Sequence, residues 1–235
     1  MRTSRWCGVL AGALLALTVQ AASGQPLEPV GDLPLVEVPA ATPSSDSFAL
    51  LLTGDGGWAP LDKHLAAALN TQGMSVVGWD SLRYFWKRRS PEDTARDVGR
   101  AMAHYLTAWG ARRVVLVGYS RGADVLPAIV ARLPSELREK VRLVALVAPG
   151  HSAEFEVHVL DLLGGGGGDY PVLPEVKALG GMPVLCLYGD EELKESLCPK
   201  LSEVTGVQAL RLHGGHHFDG NYTRVARAII DALGQ

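Results

Sequence analysis

Long apolar runs, cysteine and aromatic residues are all scarce in this chain of 235 residues, which holds three cysteines and 6% aromatics. An excess of charge of either sign is missing as well. With 22 basic and 25 acidic residues the net charge is -3, whereas a nucleic-acid binder normally carries a strong basic surplus to neutralise phosphates. The apolar stretch Val9 to Val19 falls short of the roughly 20 residues that a bilayer-spanning helix needs. What remains, 47% hydrophobic and 20% charged residues, is the composition of a globular protein with one large core.

That apolar stretch follows Arg2 and Arg5 and precedes the small residues Ala21, Ala22, Ser23 and Gly24. A basic start, a short apolar run and a small-residue exit form a secretory leader. Residues 1–24 are therefore expected to be a cleaved signal peptide, and the chain to be exported. Cys7 precedes the apolar run and would leave with the leader, so no lipid anchor is indicated. Cys186 and Cys198 remain as a pair bound for an oxidising compartment, and a disulfide between them is expected over two separate buried thiols.

Residues 25–46 are rich in Pro, Ser and Ala and read as an extended lead-in, with one alternating stretch at Leu35 to Val38. A single domain over 47–235 follows. Apolar runs recur at Phe48 to Thr53, Ser75 to Trp79, Val114 to Val117, Val141 to Val147, Val184 to Leu187 and Val207 to Leu212. Segments with helical spacing separate most of them: Leu61 to Gln72, Pro91 to Trp109, Asp124 to Leu133 and Tyr222 to Leu233. Strands alternating with helices predict an α/β fold with a mostly parallel sheet covered on both faces. His151 to Gly180 interrupts the rhythm with the apolar run Val157 to Leu163 and five glycines, Gly164 to Gly168; it reads either as a lid or as a plain linker.

Ligands of such sheets bind at the carboxyl ends of the strands. Val114 to Val117 runs into Gly118-Tyr-Ser-Arg-Gly122 and then a helix, which is the G-x-S-x-G nucleophile elbow of the α/β-hydrolase fold in sequence and in context. Glycine is required two residues before and after the serine because side chains there would collide with the neighbouring helix or strand. Ser120 is thus the candidate nucleophile, the bland alternative being a helix-capping serine. It needs a base and an acid to orient that base. Tyr188-Gly-Asp-Glu-Glu192 follows a predicted strand and offers Asp190 as the favoured acid, with Glu191 and Glu192 as substitutes. His213-Gly-Gly-His-His-Phe218 follows the last strand and offers His216 as the base, with His217 as its competitor. The order Ser120, Asp190, His216 matches the fold's Ser, Asp, His order. The clustered histidines lack cysteine or carboxylate partners at metal-ligand spacing, so no metal is expected.

An acyl-transfer site also needs backbone donors for an oxyanion. One is the amide of Arg121, after the nucleophile; the other belongs to the loop Gly54-Asp-Gly-Gly57, with Asp55 and Gly56 preferred.

Gly54-Asp-Gly-Gly-Trp58, Asp80-Ser-Leu-Arg-Tyr-Phe-Trp86, Gly118-Tyr-Ser-Arg-Gly-Ala-Asp124 and Gly215-His-His-Phe-Asp219 together resemble the bacterial virulence protein VirJ/AcvB family. The resemblance implies a periplasmic hydrolase. For the AcvB-like branch it implies cleavage of the ester joining lysine to phosphatidylglycerol, and for the VirJ side a binding factor that helps deliver proteins to a type IV secretion system. With an aminoacyl phospholipid as substrate, Asp55 and Asp124 are candidates to attract the ammonium. Arg83, Lys87, Arg88 and Arg89, interleaved with Tyr84, Phe85 and Trp86, are candidates to meet anionic headgroups at a membrane surface. Aromatic packing under a solvated basic face accounts for the same residues. The expected chemistry needs no cofactor; a small-molecule carboxylesterase is the remaining alternative.

Overall fold

The computed structural model describes residues 29–157, 168 and 170–234. The expected leader, residues 1–24, lies outside the described residues, as do 158–163 of the apolar run and the glycines at 164–167.

Seven strands form the main sheet: β1 (Leu35–Val38), β2 (Ser47–Leu52), β3 (Val76–Trp79), β4 (Arg113–Tyr119), β5 (Val141–Val147) and, after the two-residue β6 (Ser152–Ala153) and β7 (Tyr170–Pro171), β8 (Val184–Gly189) and β9 (Val207–Leu212). Their spatial order is β1-β3-β2-β4-β5-β8-β9. Every pairing is parallel except that of β1 with β3. β6 and β7 form a separate antiparallel pair. The alternating stretch in the lead-in is thus the edge strand, with Leu35 opposite Trp79.

The helices are α1 (Pro60–Thr71), the single turn α2 (Ser81–Tyr84), α3 (Pro91–Ala108), α4 (Arg121–Ala131), α5 (Ser135–Arg138), α6 (Val172–Lys177), α7 (Cys198–Leu201) and α8 (Tyr222–Leu233). Sequence chemistry sets their starts. At α3, Ser90 accepts from the Asp93 amide, Pro91 occupies the first position and Glu92 and Asp93 meet the positive end of the helix. At α8, Asn221 accepts from the Arg224 amide.

All six residues of β2 are buried, because a central parallel strand is covered on both faces. Period-two alternation sorts the side chains of β4: Val114 and Leu116 enter the core beneath α3 and α4, Val115 and Val117 the core beneath α1 and α8. α4 begins at Arg121, three residues earlier than the apolar spacing predicts, so Ser120 sits where strand becomes helix.

Candidate active site

Ser120 has φ 52° and ψ -120°, a left-handed backbone that a non-glycine residue adopts only under constraint from its surroundings. Both flanking glycines are needed for it. A Cβ on Gly118 would stand 2.4 Å from the Gly122 carbonyl oxygen, and one on Gly122 would stand 2.2 Å from that of Leu52. The elbow is therefore wedged between the first turn of α4 and the end of β2.

Ser120 Oγ lies 2.9 Å from Nε2 of His216, and Nδ1 of the same ring lies 2.8 Å from Oε1 of Glu192. A carboxylate only accepts, so Nδ1 carries the proton and Nε2 is left as the acceptor that faces the serine hydroxyl. The three side chains stand in the hydrogen-bond order that a nucleophile, a base and an orienting acid require.

The carboxylate that meets His216 is Glu192, whereas Asp190, favoured from the sequence, meets His213 and Gly214. β8 continues past Leu187 to Gly189, opposite Leu212, and the Asp190 amide still donates to the Leu212 carbonyl. In that register the Asp190 carboxylate accepts from the Gly214 amide at 2.9 Å and meets His213 Nδ1 at 3.2 Å. The chain then turns, the Glu192 amide donating to Gly189, and the longer glutamate side chain reaches His216. His213 holds the Asp190 carboxyl below its ordinary range, and Asp190 in turn raises the His213 imidazole.

The loop after β2 lies against Ser120 through Gly54, where a Cβ would be 3.3 Å from that of the serine. A Cβ on Gly56, preferred from the sequence as a donor, would lie 3.6 Å from that of Ala59. The Asp55 carboxylate is turned to the Arg121 side chain, accepting from its Nε. That guanidinium is 7% exposed and also donates to the carbonyls of Glu154 at 3.0 Å and Glu156 at 2.8 Å. Sequence reasoning used only the Arg121 backbone. Its side chain ties three segments together: the glycine loop, the elbow and the start of the insertion. A basic residue opening a mostly apolar helix was the available signal.

Cys186 and Cys198 form the expected disulfide, with Cα atoms 5.5 Å apart. It closes the loop that carries Glu192.

Of the residues proposed to meet substrate, Tyr84, Asp124 and Arg83 have different surroundings. Tyr84 is 3% exposed and donates its hydroxyl to Asp97 at 2.8 Å, with its ring edge-on to Trp79 and Phe85 and beneath the Arg89 guanidinium. It is a core residue that also lines the polar cavity beside β1. Asp124 accepts from the Gly150 amide at 2.7 Å, and burial pushes its carboxyl up to about 7; it fastens α4 to the loop after β5. Arg83 is exposed and lines, with Asp32, Arg89 and Asp97, a polar cavity of about 440 Å³ beside β1. The exposed Trp86, Lys87 and Arg88 follow it. Backbone bonds from Arg89 to Phe155 and from Val157 to Phe85 join this segment to the strip that Arg121 holds. Among the described residues, no group of three or more His, Cys, Asp or Glu side chains is arranged to hold a metal ion.

The family described as bacterial virulence protein (VirJ) matches residues 46–235. The chain belongs to the VirJ family. Among solved structures, this VirJ-family chain is similar to a proline iminopeptidase from Mycobacterium smegmatis, at 17% identity and TM-score 0.59 over 87% of this chain and 97% of that one. It is similar to Est1E from Butyrivibrio proteoclasticus, at 11% identity and TM-score 0.60 over 86% and 93%. A lipase-esterase related protein from Clostridium acetobutylicum follows at 15% identity and TM-score 0.59 over 85% and 98%. No curated protein matches the chain in sequence. At these identities the likeness establishes the fold, an α/β-hydrolase, in which the VirJ-family elbow occupies the turn between β4 and α4.

Proposed function

We propose that this chain is a serine hydrolase that cleaves an ester, in the periplasm, with Ser120 as nucleophile. The observation that carries the reading is the unbroken contact series from Glu192 through His216 to Ser120. Nε2 of His216 takes the hydroxyl proton as Ser120 Oγ attacks the carbonyl carbon. Glu192 accepts from Nδ1 throughout and stabilises the imidazolium. The tetrahedral oxyanion is met by the backbone amide of Arg121 and by the Gly54 loop. Collapse expels the alcohol with the proton returned from His216. Water, deprotonated by the same imidazole, then frees the acid and restores Ser120.

For the substrate we infer the aminoacyl ester of lysyl-phosphatidylglycerol, supported by the resemblance to the AcvB branch. The cationic segment Arg83, Lys87 and Arg88 around Trp86, which is 59% exposed, suits the surface of an anionic membrane. Asp55 and Asp124 are already engaged with Arg121 and Gly150, so they lend this assignment no support. The test is release of free lysine from lysyl-phosphatidylglycerol vesicles by the purified mature chain and by its Ser120→Ala variant. Release that vanishes with Ser120 supports substrate and nucleophile together. Turnover of a simple chromogenic ester without lysine release replaces the lipid with a small-molecule substrate, and no turnover of either ester moves the chain to a binding role in secretion.

A further inference from the structure

Tyr119 immediately precedes the nucleophile, yet its side chain belongs to the histidine loop. It is 6% exposed, and its hydroxyl lies 3.0 Å from Nδ1 of His217 and 3.3 Å from the carbonyl oxygen of His216. The ring itself lies against the His216 imidazole, centroids 5.4 Å apart. Burial pushes the phenol above its ordinary value, so it remains a proton donor. A carbonyl only accepts. The contacts are therefore satisfied together when His217 Nδ1–H donates to the Tyr119 oxygen and the phenol donates to the His216 carbonyl.

The loop needs such a hold. Phe218 and Asp219 both have left-handed backbones, at φ 49° and 51°, a conformation that persists only where neighbouring contacts enforce it. Phe218 anchors the far side by its burial, and the Asp190 contact to the Gly214 amide anchors the near side. Between these anchors, the peptide that carries the catalytic imidazole is reached by Tyr119. Because Tyr119 is covalently joined to Ser120, a single residue then links nucleophile and base through one peptide bond and one hydrogen bond.

We propose that Tyr119 is a positioning residue that sets the Ser120 to His216 distance through the His216 peptide, and that His217 is its second partner, holding the phenol in the orientation that does so. This rests on the reading of Ser120, His216 and Glu192 as catalytic. His217, next to the base in sequence, thereby has a duty distinct from proton transfer to substrate.

The experiment compares wild type with Tyr119→Phe, His217→Ala and His217→Asn, the last of which keeps an amide near the place of Nδ1. Turnover of a chromogenic ester, thermal midpoint and the low-field imidazole N–H proton resonance of His216 are read for each. Tyr119→Phe is expected to lower kcat about ten-fold, with KM changed less than about two-fold and the midpoint nearly unmoved, and to shift or broaden the His216 resonance. His217→Ala should follow in part and His217→Asn should recover. Kinetics equal to wild type with an unmoved resonance overturn the proposal, as does activity lost only in proportion to folded protein. The resonance separates the two readings. If wild type is inert but the signal moves in Tyr119→Phe, the hydrolase reading fails and the brace stands; an unmoved signal overturns the brace whatever the activity.

Discussion

Glu192 meets His216 Nδ1 at 2.8 Å, while Asp190, two residues earlier, is committed to His213 and Gly214. The two carboxylates therefore make opposite predictions on substitution.

Glu192→Gln should lower kcat by about a thousand-fold, since an amide in place of the carboxylate loses the charge and permits the wrong imidazole tautomer. Asp190→Asn should cost less than about ten-fold, through the loop alone. Steady-state kinetics on a chromogenic ester rank the two, and the reverse ranking would return the acid to Asp190.

The disulfide supports the same residue by a different route. Cys186 and Cys198 are 12 apart in sequence, and closing a loop of that size removes about 3 kcal/mol of unfolded-state freedom in the chain-entropy picture. Replacing both by serine should lower the unfolding free energy by about that amount. Activity should fall further than stability at a temperature where the variant is still folded, because the freed loop carries Glu192. Denaturant unfolding and turnover, each with and without reductant, measure both; a stable variant with full activity would show that the loop holds its shape unaided.

Asp62 gives a prediction for pH. It is 2% exposed, one of its oxygens has no hydrogen-bond partner among the described residues, and burial pushes its carboxyl up to about 7. Between its ordinary value near 3.8 and that raised one, the folded state binds the proton and the unfolded state does not. Stability is thus greatest at the acid end of this window and is lost as pH rises through it. Asp62→Asn should flatten the dependence between about pH 4 and 7. Unfolding curves across that range test it, and an unchanged slope would remove Asp62 as the source.

The parallel sheet was legible because strands buried on both faces are nearly continuous apolar runs, and β2 and β5, interrupted only by Ser47 and the exposed Arg142 near their starts, stand out for that reason. The meeting of Ser120 and His216 was legible because each follows a strand and is flanked by glycines. The acid was not. Three consecutive carboxylates differ only in where a turn aims them, and that depends on the strand running on to Gly189. The burial of Tyr84 was not legible because aromatics interleaved with arginines look alike whether they face a ligand or fill a core; its bond to Asp97 joins residues 13 apart across two helices. Tyr119 and Arg121 sat inside the elbow motif, where the serine drew the attention, and the partners of their side chains come from loops distant in sequence.

The central claim is that Ser120 is a nucleophile activated by His216. A fluorophosphonate probe followed by peptide mapping tests it most directly. The adduct is predicted on Ser120 in the wild type, and to be absent from both Ser120→Ala and His216→Ala with their folding verified. A folded wild-type protein that stays unlabelled, or one labelled at another serine, would contradict it.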